Sequence, residues 1–65
     1  MPYPNKYVVK ICVENSAFDG AYRSYEVARI LRELADKIEM SIPAETIYLN
    51  DINGNQTGVA GWLKN

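Results

Sequence analysis

Residues 27–39, Val-Ala-Arg-Ile-Leu-Arg-Glu-Leu-Ala-Asp-Lys-Ile-Glu, constrain this chain more than any other segment. Val27, Ile30, Leu31, Leu34 and Ile38 recur at three- and four-residue spacing, which puts them on one stripe of an α-helix. Tyr25, Arg29, Arg32, Glu33 and Asp36 fall opposite and are expected in solvent. Such a helix must lay its stripe on another element, and the flanking segments read as strands. Glu33 and Lys37 stand in the favourable i,i+4 order, worth ~0.3 kcal/mol. Ser24 is the expected N-cap, with Glu26 in the first turn where the helix dipole favours a negative charge. Asp19 is the alternative start of a short preceding turn. The helix must end before Pro43, whose ring disfavours α geometry at Ile42.

Lys6 to Glu14 alternates, with Tyr7, Val9, Ile11 and Val13 on one face and Val8, Lys10, Cys12 and Glu14 on the other. That is the pattern of a half-buried strand. Thr46 to Ile52 is the second strand, with Ile47 and Leu49 inward and Tyr48 outward. Asn53-Gly54 predicts a two-residue type I′ hairpin, pairing Ile52 with Asn55, Leu49 with Gly58 and Ile47 with Ala60. Trp62 then shares the face of Ile47 and Leu49. Gly58 and Gly61 weaken the third strand and predict a bulge or a close backbone approach.

The expected fold is therefore α+β: a single β-α-β-β domain over residues 6–65, one amphipathic helix packed on a three-stranded sheet. Residues 1–5, with two prolines, are expected to form a flexible N-terminal arm. Strands one and two should run parallel and the third antiparallel to both. Neighbouring first and second strands would need a right-handed crossover. The preferred order is 1-3-2, which makes every neighbouring pair antiparallel; the hydrophobic pattern alone leaves both open.

Sixty-five residues permit one small core. Domains of about 60 residues bury only about 60% of the unfolded chain's surface, and often lean on a disulfide, a metal or a second copy. Cys12 is the only cysteine and there is no histidine, so neither an internal disulfide nor a Cys/His zinc site is available. A homodimer is the remaining support. The net charge of −1 disfavours non-specific nucleic-acid binding. With no signal-peptide pattern and no apolar run near the ~20 residues of a membrane span, a cytoplasmic protein with a reduced thiol is expected.

No catalytic, cofactor or metal site is predicted. Cys12 has no histidine to activate it. Asp51-Ile52-Asn53-Gly54-Asn55 lacks the glycine at position six and the glutamate at position twelve of a calcium loop. Carboxylate pairs such as Glu33 with Asp36 lie on the solvated helix face, so an enzyme is not expected. One Trp, one Phe and five Tyr exceed what so small a core hides. Phe18, Tyr22, Tyr25, Arg29 and Arg32 are the candidate partner-binding residues, because Tyr and Arg are enriched at interfaces. A second candidate is the sheet face away from the helix, carrying Tyr48, Val8, Cys12 and Val59, where burial against a second subunit is the expected use. Arg23 and the amides near Gly20 offer an alternative, an anion or nucleotide pocket at a dimer seam.

The segments Ala17-Phe18-Asp19, Ala28-Arg29-Ile30-Leu31-Arg32-Glu33-Leu34-Ala35 and Asp51-Ile52-Asn53-Gly54-Asn55, with Gly58, together resemble a group of short phage, prophage and plasmid proteins. The likeness spans roughly residues 8 to 61. It departs at Ala21-Tyr22-Arg23-Ser24-Tyr25, which is richer in aromatics than the group's pattern, and it carries over no functional residues. The resemblance implies a mobile-element accessory protein in the cytoplasm of a bacterial host, one that binds a host complex, with defence systems as a target class. A structural or regulatory phage component is the further alternative.

Overall fold

The computed structural model describes residues 5–42 and 45–63. Strand β1 (Lys6–Ile11) leads through a 3-10 turn (Ser16–Phe18) into helix α1 (Tyr22–Met40), followed by β2 (Ile47–Asn50) and β3 (Gln56–Leu63). The sheet order is β1-β3-β2 with both pairings antiparallel, the arrangement preferred from sequence. The helix packs on β2 and on the 3-10 turn. The expected arm falls largely outside the described residues, as does Pro43. Asn5 is tied down, its N–H donating to the Leu63 carbonyl at 3.1 Å.

The core is made by Phe18, Ile30, Leu34, Ile47, Leu49 and Ala60, with Tyr7, Ile11, Val13, Ala17, Val27 and Ile38 packed around it. Phe18, Ile30 and Leu49 are fully enclosed, each contributing about 2 kcal/mol by burial. Tyr7 and Trp62, paired across β1 and β3, close one end with an edge-to-face contact at 4.9 Å. The helix stripe is narrower than its periodicity predicts. Leu31 remains 43% exposed and Val9, on the same side of the sheet, 37%. One helix seated over β2 does not roof the β1 edge.

The helix begins at Tyr22, and Ser24 is its third residue instead of its cap. Ala21 precedes it with no side-chain cap. The entry is built by backbone: Tyr22 and Arg23 donate their N–H groups to the carbonyls of Asp19 and Gly20, and Gly20 sits at φ +57°. The expected alternative, a short turn from Asp19, is the one adopted. At the far end the Ser41 N–H and Oγ both donate to the Ile38 carbonyl, and Lys37 in the last turn suits the dipole.

The hairpin also differs from expectation. The Gly54 N–H donates to the Asp51 carbonyl at 3.0 Å and the Asp51 N–H to the Asn55 carbonyl at 2.9 Å. Ile52 and Asn53 are therefore the central residues of the turn, and Gly54 follows them at φ +85°. Asn50 pairs with Gln56 while Leu49 pairs with Gly58, so an irregularity at Thr57 restores the predicted pairing of Leu49 and Ile47. β2 runs from Ile47 to Asn50 instead of the expected Thr46–Ile52, and the shifted turn accounts for its earlier end. β1 likewise ends at Ile11 instead of Glu14, although the Cys12 N–H still donates to the Thr57 carbonyl.

Candidate protein-binding surface

Where the helix start, the 3-10 turn and the hairpin meet, the chain gathers two buried carboxylates, Glu26 and Asp51. Asn15 caps the 3-10 turn by accepting the Ala17 N–H at 2.9 Å and donates its Nδ2 to the Asp51 carboxylate at 2.8 Å. Asp51 is buried and organises the hairpin, its Oδ1 accepting the N–H groups of Asn53 and Asn55, each at 2.9 Å. Burial works to raise its pKa, but the Asn55, Asn53 and Asn15 donors outweigh that and hold it below its ordinary value.

Glu26 lies at the centre of this junction. It is 6% exposed, and its carboxylate accepts both Nε and Nη2 of Arg29 at 2.9 Å and the Ile52 N–H at 2.8 Å. The bidentate Arg29 bond, aided by Ile52 and opposed by burial, lowers its pKa. Arg29 also donates Nη1 to Glu33 at 2.7 Å and Nη2 to the Asn50 carbonyl at 3.2 Å. The expected Glu33–Lys37 pair is replaced by this Arg29–Glu33 pair. Glu26 is therefore a helix-to-hairpin tie and not a first-turn dipole residue. Its lowered pKa is the wrong direction for a general acid at neutral pH.

Above the junction the surface is aromatic. Tyr22 is 72% exposed and Tyr25 75%, and Ile52 of the hairpin is 68% exposed. They edge a shallow depression of about 390 Å3 whose floor includes Ala17, Glu26 and Arg29. The three-, four- and seven-residue spacings from Tyr22 put Tyr22, Tyr25, Glu26 and Arg29 on one helix face.

Of the candidate residues named from sequence, Tyr22 and Tyr25 come together at this depression. Arg29 lies beneath them with its guanidinium engaged internally, and Arg32 is exposed but does not line the depression. Phe18 is corrected outright: at 0% exposure it plugs the core and has no surface to offer. The core under one helix is narrow, and the 3-10 turn supplies the aromatic that fills its end. Ile52 was missed; an apolar residue inside a polar turn segment is the signal that marks it. Arg23 directs its Nε toward the Phe18 carbonyl at 3.5 Å.

Among the described residues, no three or more His, Cys, Asp or Glu side chains are placed to hold a metal ion. None of the described helices is long and apolar enough to cross a membrane. Comparison of the chain with protein-family models, with curated proteins and with solved structures gave no match.

Proposed function

We propose that this chain is a non-enzymatic binding module, an accessory protein of phage type that acts in the bacterial cytoplasm. It occludes a host macromolecular complex, with defence complexes as the target class. The observation that carries this reading is the exposed Tyr22–Tyr25–Ile52 cluster set on a rigid polar junction. Large amphipathic side chains held on a fixed base lose little freedom on docking, which is what an interface anchor needs. The charged groups beneath them are already bonded to one another, leaving aromatic area as the surface's main offering. With a net charge of −1, a protein partner fits this surface better than nucleic acid.

The test is capture from host lysate by the immobilised chain, followed by titration of the purified captured protein. Tyr22→Ala combined with Tyr25→Ala is expected to weaken binding at least about a hundredfold while leaving the circular-dichroism spectrum unchanged. Saturable binding that survives the double substitution contradicts the assignment of the surface. Absence of any saturable protein partner contradicts the function.

A further inference from the structure

Two glycines three residues apart on β3 behave differently. A Cβ on Gly58 would collide with the Lys10 carbonyl oxygen of β1, so the close approach of the two strands requires glycine there. A Cβ on Gly61 would meet only Thr46, at 3.7 and 3.9 Å, which is ordinary contact. Gly61 also lacks the positive φ found at Gly20 and Gly54. Neither the backbone nor packing within the described chain requires glycine at this point of the central strand, where it weakens the sheet. What Gly61 does is open a depression of about 260 Å3, bordered on the face opposite the helix by Val8, Lys10, Thr46, Val59 and Leu63. Gly61 sits in regular register with Val8, away from any bulge, and a strand glycine outside a bulge or bend often marks close approach by another backbone or a ligand.

We infer that this open face is a homodimer interface, on which a second copy stacks its own open face about a twofold axis parallel to the strands. The register carries the argument. Lys10, Val59 and Tyr48 form one row across the sheet, and Val8 and Gly61 the next, with Thr46 beside Gly61 just before β2. The β1 side of the face is cationic at Lys10 and the β2 side is aromatic at Tyr48, which is 58% exposed. A twofold axis along β3 exchanges the two sides. Each Lys10 ammonium then lies over the Tyr48 ring of the other copy, an attraction made twice. An in-plane axis across the strands would stack β1 on β1 and oppose Lys10 to Lys10. Charge therefore selects the first arrangement.

Val59, Gly61 and Leu63 lie along the axis, and two facing Gly61 residues let the sheets approach closely at that point. The six, eight and four residues of β1, β3 and β2 give the open face about 300 Å2 in projection. Stacking two such faces buries roughly 600–900 Å2 of accessible surface, the size of a weak, reversible dimer. This interface lies on the opposite side of the sheet from the helix and stands independently of the proposed partner surface.

Sedimentation equilibrium of the purified full chain, from micromolar to hundreds of micromolar, tests it. The expected result is a reversible species of twice the 7.4 kDa chain mass. Gly61→Lys, whose Cβ meets only Thr46 and at ordinary contact distance, is expected to keep the far-UV circular dichroism and raise the dimer dissociation constant at least about tenfold. Lys10→Glu, at the sheet edge, is expected to weaken the dimer in the same direction and serves if the glycine variant fails to fold. Tyr22→Ala with Tyr25→Ala should leave the dissociation constant unchanged. A chain that stays monomeric throughout overturns the inference, as does a dimer indifferent to both open-face substitutions.

Discussion

The two faces of one small sheet follow different rules. On the helix side, β3 contributes Ala60 at 2% exposure, and the neighbouring Ile47 and Leu49 are enclosed by Phe18, Ile30 and Leu34. On the other side Val59 is only half-buried, Tyr48 is open, and Gly61 presents no side chain at all. Polar groups follow the same division. Those at the helix–hairpin junction have internal partners with short, well-directed bonds, whereas Lys10 and Tyr48 stand in one row of the open face. Folding has used the helix side of the sheet except toward β1, where Val9 stays 37% exposed, and the opposite side is the one assigned to recognition.

Substitutions break this comparison most sharply at Gly58. Gly58→Ala forces β1 and β3 apart at the Lys10 carbonyl and is expected to cost about 3 kcal/mol. A chain of this length has roughly 3–10 kcal/mol in total, so thermal denaturation should find the melting temperature lowered by about 12–24 °C. Glu26→Ala comes next. It leaves the Ile52 N–H and the Arg29 guanidinium without their buried acceptor, an expected loss of about 2 kcal/mol in urea denaturation.

The same junction predicts a pH dependence. Glu26 and Asp51 both have folded-state pKa values held below their unfolded values. Their contribution is thus fully present above the ordinary carboxyl range and is lost as pH falls through the lowered folded values. Melting temperature should be level from neutrality to about pH 5 and fall steeply below about pH 4. Glu26→Gln should flatten part of that fall; an identical profile would remove Glu26 from the account.

The smallest stability effects belong to the surfaces assigned to recognition. Tyr22→Ala with Tyr25→Ala should change stability by less than about 0.5 kcal/mol. Gly61→Ala should be neutral or stabilising by up to about 1 kcal/mol in the monomer, the opposite sign from its neighbour three residues earlier. A melting temperature that falls as far in Gly61→Ala as in Gly58→Ala would erase the distinction between the two faces.

How far the sequence alone anticipated this depends on whether the determining contact is local. Helix and strand pattern follow from periodicities over a dozen residues or fewer, and so does the warning at Gly58. The strand order, in contrast, is a preference between two open arrangements, and the pairing of Ile47 and Leu49 with β3 holds because the irregularity at Thr57 offsets the shifted turn. The turn itself was misplaced by one residue because Asn53-Gly54 is a strong local signal, and Asp51 overrides it. Its carboxylate collects the N–H groups of Asn53 and Asn55 while Asn15, 36 residues away, holds it in place. The hairpin tie of Glu26 escapes a local reading for the same reason: Arg29 lies three residues away, but the Ile52 N–H lies 26 residues downstream. Phe18 resembled an exposed anchor because nothing nearby announces that a narrow core needs a plug. The Tyr22–Tyr25 pair was legible from helical spacing, but Ile52, brought alongside by the Glu26 tie, was not.

Amide chemical shifts recorded on dilution address the division of the sheet most directly. The account predicts concentration-dependent shifts at Val8, Lys10, Tyr48, Val59 and Gly61, with Tyr22, Tyr25, Ile30 and Leu34 unmoved. Shifts that cluster instead around Tyr22 and Tyr25, or spectra unchanged up to hundreds of micromolar, would contradict it.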